Sequence, residues 1–258
     1  MSGLGAEVGA AIKLLELASK EGWLDKVKNV FKKRHQVLVL GTTGAGKTQF
    51  LTALTKMVPE AIDIINRTKF ATKHDIKVSK SLFDFVDTPG DDAPGYRDRR
   101  IREIRKAMAG GVTGVINVVS YGYHEYDVGS KIPVNADGST KEAFLKKHRQ
   151  FELDALYEWT ELLGAPETTN WMITVVTKAD LWWDRRKEVM GYYISGDYYD
   201  ALNGMQAVKP VALEFCSVFH KFFGQGAMSG IFDESDRNRA RANLLQQLLS
   251  AVGKVKNG

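Results

Sequence analysis

Gly41-Thr42-Thr43-Gly44-Ala45-Gly46-Lys47-Thr48 follows a short apolar run, His35 to Leu40, and precedes a helical pattern over residues 46–57. Glycines let such a loop turn so that successive backbone N–H groups point inward at phosphate. A helix opening straight after the loop adds its positive end. G-x-x-x-x-G-K-[ST] between a strand and a helix is a polyphosphate-binding pattern, with a lysine for the β- and γ-phosphates and a hydroxyl for Mg²⁺. Lys47 and Thr48 stand at those positions. Gly44, Ala45, Gly46, Lys47, Thr48 and Gln49 are expected to line the phosphate site.

Two more constellations extend the chemistry. Phe83-Asp84-Phe85-Val86 reads as a strand that ends in Asp87 and runs into Thr88-Pro89-Gly90. A lone aspartate at a strand end is usually a turn former. Asp87 stands 39 residues after Thr48 and ahead of a Pro-Gly pair, which favours a metal role: a carboxylate holding Mg²⁺ through water. Gly90 can offer its N–H to a γ-phosphate. Thr177-Lys178-Ala179-Asp180 follows the apolar strand Trp171 to Val176. The Asp180 carboxylate can accept two hydrogen bonds, from the N1–H and the 2-amino group of guanine. Adenine offers no such pair on that edge, so Asp180 points to GTP over ATP.

The positioning elements are legible as well. Residues 3–33 carry Leu4, Val8, Ile12, Leu15, Leu24, Val27 and Phe31 at helical spacing, interrupted at Gly22 and closed by Lys32-Lys33-Arg34. Residues 74–79 and 81–87 predict a hairpin, 97–108 a charged helix and Val112 to Ser120 a buried strand. Tyr121 to Ser139 reads as a polar loop and Lys141 to Leu163 as a long helix. Residues 184–205 read as helix broken near Gly196, Val211 to Phe215 as a last strand and Asp236 to Val252 as a terminal helix. Strands alternating with helices predict an α/β domain with a parallel-dominated sheet covered on both faces.

Composition agrees with this class. The 258 residues are 44% hydrophobic and 26% charged, which excludes disorder and fibrous repeats. No apolar run approaches the roughly 18 residues of a membrane span. Met1 to Ala11 lacks a signal-peptide pattern, and Ser2 stands where myristoylation needs glycine. A single cysteine, Cys216, fits a reducing cytoplasmic compartment. The charge balance, 36 minus 31 or +5, is too mild for a dedicated nucleic-acid binder, so no specific nucleic acid is expected.

The three motifs together resemble the P-loop GTPases of the translation-factor-related class, over roughly residues 35–250. The resemblance implies a six-stranded, mostly parallel sheet with one antiparallel strand, flanked by helices. Here that GTPase domain spans 35–258 behind an N-terminal helical extension, 1–34. It implies Mg²⁺ held by Thr48, Asp87 and a switch threonine, with GTP as substrate and GDP as product. Thr68 and Thr72 are the candidates for that threonine. Thr72 is preferred because it stands just before the first hairpin strand, where Era-like GTPases keep theirs. Lys47, Thr72 and Gly90 are the residues expected to act on the γ-phosphate. The common base motif begins with asparagine. Thr177 replaces it, as in dynamin-like and interferon-inducible immunity-related GTPases. The phosphate loop is likewise closer to those and to AIG1-like GTPases than to Ras. Ser217, after the last strand, is matched to the residue whose N–H meets guanine O6, although Val218 follows it in place of alanine.

Ras-type enzymes place a water-orienting glutamine after the third-motif glycine. Asp91 and Asp92 follow Gly90 instead, and Gly44 stands where potassium-stimulated GTPases carry asparagine. The expectation is therefore a molecular switch whose isolated protomer is slow, activated by a partner protein or a nucleotide-dependent homodimer. Arg97, Arg99, Arg100, Arg102, Arg105 and Lys106 are either a solvated helix face with Asp98 and Glu103 or a source of a trans-acting arginine. The N-terminal helix is either docked on the domain or a peripheral membrane or oligomerisation element. Trp182 and Trp183 are read first as packing residues, and His124 as no metal ligand. The rival readings are a slow or non-hydrolysing GTP-binding scaffold and a P-loop ATPase.

Overall fold

The computed structural model describes residues 34–56, 72–78, 81–87, 96–125, 134–163, 171–204 and 209–215, with short runs between 232 and 251. The strands are β1 (Arg34–Leu40), β2 (Thr72–Val78), β3 (Ser81–Asp87), β4 (Val112–Val119), β5 (Trp171–Val176) and β6 (Lys209–Phe215). They form one sheet in the order β2-β3-β1-β4-β5-β6. β2 alone runs antiparallel, paired with β3. The other neighbours are parallel. The helices are α1 (Lys47–Lys56), α2 (Tyr96–Ala109), α3 (Glu142–Leu163), α4 (Arg186–Ile194) and α5 (Asp197–Asn203).

Central parallel strands are buried on both faces and read as continuous apolar runs. Every residue of β5 is buried. Leu38 and Leu40 of β1, Val115 and Val119 of β4, and Met172 and Val176 of β5 join one core with α2, α3, α4 and α5. Residues alternating with them (Val37, Val39, Ile116, Val118, Ile173 and Val175) are buried outside that cluster, so the opposite face is covered too. α3 shows its seam clearly: Leu145, His148, Glu152, Leu156, Trp159 and Leu163 are buried, three and four residues apart.

Some boundaries differ from the sequence expectation. β1 starts at Arg34, which pairs with Leu82, so Arg34 is a strand residue and not a helix end. β2 spans 72–78 in place of 74–79, because the pairing closes at Val78↔Ser81 and continues back to Thr72↔Asp87. Thr72 is therefore the first residue of the strand and does not precede it. β6 begins at Lys209 and includes Pro210, which a sheet edge tolerates because proline has no N–H to give to a ladder. Residues 235–237, 239–240, 243–244, 247–248 and 251 are helical within the expected terminal helix. The N-terminal segment 1–33 lies outside the described residues. No helix among those described is long and apolar enough to cross a membrane.

Candidate functional site

The phosphate-type loop leaves the end of β1 and enters α1 at Lys47. Its glycines are required by geometry. Gly44 has φ +75, and a Cβ there would lie 2.7 Å from the Glu125 backbone nitrogen. Gly41 has φ +153 and would meet the Val118 carbonyl at 2.5 Å. Any side chain at either position strains the backbone and displaces a neighbouring chain segment. The Lys47 side chain curls back over the loop, and its ammonium donates to the carbonyls of Gly41 (2.6 Å) and Thr42 (3.1 Å). A cation is thus held across the loop. Thr48 and Gln49 are exposed on the first turn of α1.

The Thr177–Asp180 motif is stitched onto this loop. The Thr177 backbone N–H donates to the Val119 carbonyl at 2.8 Å, which continues the β4–β5 contact past the strand end. The Thr177 hydroxyl lies 2.6 Å from the Ala45 carbonyl and 3.1 Å from that of Val119. Its single proton favours the shorter contact. Threonine, standing where the common motif has asparagine, thus ties the two loops directly. Lys178 adopts φ +58, a left-handed conformation unusual for a non-glycine residue. Its ammonium donates to the Gly44 carbonyl at 2.8 Å and to the Tyr123 carbonyl. Burial pushes Lys178 down to about 8, against the opposing pull of Glu125, Asp180 and Glu152. Asp180 is fully buried in the 3-10 turn Ala179–Leu181. The Trp182 indole N–H donates to the Thr177 carbonyl at 2.8 Å and is itself buried, so Trp182 packs beneath the motif.

Residues 120–125, read from sequence as the end of a strand at Ser120 and the start of a polar loop at Tyr121, turn out to touch both motifs. The Glu125 N–H approaches the Gly44 carbonyl at 3.4 Å, and the Tyr123 carbonyl receives Lys178. The segment is gathered by Glu152 of α3, which is 1% exposed. Glu152 Oε1 accepts from the Ser120 N–H (2.8 Å), the Gly122 N–H (3.3 Å) and His124 Nε2 (2.8 Å). Its Oε2 accepts from the Tyr193 hydroxyl at 2.7 Å. Burial pushes this carboxyl up, but His124 and the other donors overcome it and hold Glu152 below its ordinary range. His124 Nε2 also lies 3.4 Å from the Thr42 hydroxyl. A signal for this cluster existed in the sequence: a carboxylate on the apolar seam of a long helix needs buried donors.

The remaining expected residues fall as follows. Asp87 ends β3 beside Val39 of β1, at the edge from which the phosphate loop departs. Thr72 is the cross-strand partner of Asp87, so register brings two of the expected metal residues together. Thr68, Gly90, Asp91, Asp92 and Ser217 lie outside the described residues. Arg102, Arg105 and Lys106 are exposed on α2, and Arg99 is half-buried. Among the described residues, no group of three His, Cys, Asp or Glu could hold a metal ion.

Residues 36–149 match the family model described as "50S ribosome-binding GTPase", over less than half of the chain. That stretch holds most of β1, the glycine-rich loop, Asp87 and β4. Over that stretch the chain is similar to a GTPase family model, and the match fixes no subfamily. No curated protein matches the chain. Solved structures similar to it include the ADP-ribosylation factor-like GTP-binding protein SAR1 from Encephalitozoon cuniculi in complex with GDP. It is 15% identical, with 99% of this chain and 96% of that one covered and a TM-score of 0.46. The Arl6 small GTPase from Trypanosoma brucei is 13% identical, with 84% and 98% covered and a TM-score of 0.47. A dimerisation-deficient mutant of Toc33 from Arabidopsis thaliana is 11% identical, with 96% and 92% covered and a TM-score of 0.47.

Proposed function

We propose that the chain binds GTP and GDP with Mg²⁺, hydrolyses GTP to GDP and phosphate, and works as a nucleotide-controlled switch. One observation carries this reading. The Thr177 hydroxyl on the Ala45 carbonyl and the Lys178 ammonium on the Gly44 carbonyl join a phosphate loop to a motif ending in a buried carboxylate, 132 residues or more along the chain. That combination suits a ligand with polyphosphate at one end and an N–H pair at the other.

In this reading Lys47 exchanges its loop carbonyls for the β- and γ-phosphate oxygens, and the N–H groups of residues 44–48 surround them. Asp180 accepts from guanine. Three residues would hold Mg²⁺: Thr48 is exposed on the first turn of α1, and Asp87 and Thr72 are register partners at the end of the β2–β3 ladder, which supports this reading. Bound there, the ion would neutralise charge between the β- and γ-phosphates. Water attacks the γ-phosphorus and the β-phosphate oxygen of GDP leaves. The segments carrying Thr72 and Gly90 then lose their γ-phosphate contacts and relax.

With no glutamine after Gly90, turnover by a lone protomer is slow, and an arginine supplied in trans from α2 (Arg97 or Arg99) supports a faster rate in a dimer. Arginine fingers add roughly three to five orders of magnitude. Single-turnover GTP hydrolysis with Mg²⁺, followed over about a hundredfold range of protein concentration, is expected to accelerate per molecule. A rate flat across that range contradicts activation by self-association. Hydrolysis no faster than in buffer, with or without partners, contradicts the GTPase reading and leaves a GTP-binding scaffold.

A further inference from the structure

We propose that Glu152 is a positioning residue of the nucleotide site, acting through the Ser120–Glu125 segment on both the phosphate loop and Lys178. The inference rests on the guanine-nucleotide reading above. Glu152 hydrogen-bonds to the segment that lies between the two motifs. Its reach comes from the order of the contacts. Oε1 collects the N–H groups of Ser120 and Gly122 and the ring of His124, which fixes the path of the backbone between them. Fixing that path aims the Tyr123 carbonyl at Lys178 and lays the Glu125 backbone against Gly44. His124 adds a contact from the same hub to Thr42, inside the phosphate loop.

The hub is braced from behind. The Tyr193 hydroxyl of α4 donates to Glu152 Oε2 at 2.7 Å and receives the Tyr121 N–H at 2.9 Å. The Tyr121 N–H, Ser120 N–H and Gly122 N–H are consecutive backbone donors leaving β4, and side chains from two helices receive all three. Buried donors without an acceptor are costly, so this segment holds its shape only while both acceptors stand. A displacement of about 1 Å at a binding constellation is enough to matter, even when the altered residue is remote. A purely structural ion pair on α3 would not need to engage a short segment that touches both loops.

Glu152→Met keeps length and apolar fit and removes the acceptor. Glu152→Gln keeps an oxygen for the donors at Oε1. With the full chain, GDP titrated in the presence of Mg²⁺ is expected to bind Glu152→Met about tenfold more weakly than wild type, and Glu152→Gln within about threefold of wild type. The coupling is read in a cycle with Lys178→Met. If Glu152 acts through Tyr123 on Lys178, adding Glu152→Met to Lys178→Met costs markedly less than it does alone, whereas a general structural defect would add in full. Should Glu152→Met fail to fold by circular dichroism, Tyr193→Phe carries the same test, with an expected severalfold loss of GDP affinity. A folded Glu152→Met or Tyr193→Phe chain that binds GDP like wild type overturns the inference alone, as does full additivity with Lys178→Met. A wild-type chain that binds neither GDP nor GTP overturns the nucleotide reading and this inference with it.

Discussion

At the scale of single residues, three side chains do work that their types announce and one does work that its type conceals. Lys47, Thr177 and Lys178 place hydrogen-bond donors on loop carbonyls. Motif spacing placed these three in the two loops that the structure brings together, and their assignment to a nucleotide is the proposal. A carboxylate on the apolar seam of α3 signals a need for buried donors, but the partners of Glu152 were not legible, since they depend on which backbone groups α3 meets, and spacing along one helix does not reveal them. Removing the Lys47 ammonium deletes a charge-assisted contact worth about 1.5–3 kcal/mol, so Lys47→Ala is expected to bind GDP roughly ten- to a hundredfold more weakly in a calorimetric titration. Unchanged affinity would remove Lys47 from the phosphate site.

At the scale of elements, the strand pattern was readable and the pairing details were not. The apolar runs of β1, β4 and β5 stand out because strands buried on both faces leave no polar alternation. The start of β2 was misplaced by two residues, since nothing local in Thr72-Lys73-His74 tells a ladder residue from the loop before it; the facing residue, Asp87, decides. Gly114 is another pairing effect. A Cβ there would sit 2.1 Å from the ring carbons of the buried Trp171 on β5, so the two strands approach closely only because Gly114 has no side chain. Gly114→Ala forces the indole or the strand to move and is expected to cost about 1–3 kcal/mol, as overpacked cores do. Urea denaturation checks this, and an unchanged midpoint would show that the ring yields freely.

At the scale of the whole molecule, the buried titratable groups give stability a defined alkaline profile. Burial holds Lys178 down at about 8 in the native state, while the unfolded side chain keeps its proton to about 10.5. Between those values the unfolded chain binds the extra proton, so stability rises with pH. Burial holds Tyr121, Tyr192, Tyr193 and Tyr198 above 10.0, their ordinary value. Above about 10 the unfolded tyrosines lose protons that the native ones keep, and stability falls. The denaturant midpoint of the nucleotide-free chain is therefore expected to climb from about pH 7 to 9 and drop between about pH 10 and 11. A monotonic fall from pH 7 would mean that Lys178 is not held down by burial.

In the proposed function one site reads both phosphate and guanine, with Asp180 as the reader. The direct measurement is competition binding of GDP, ADP and xanthosine diphosphate to wild type and to Asp180→Asn. Wild type is expected to prefer GDP strongly. Asp180→Asn exchanges a carboxylate oxygen for an amide donor, which suits the C2 carbonyl of xanthine. It is expected to lose GDP affinity by roughly ten- to a hundredfold and to favour xanthosine diphosphate. Equal wild-type affinity for GDP and ADP, or an Asp180→Asn chain that still prefers GDP as wild type does, would contradict guanine reading by Asp180.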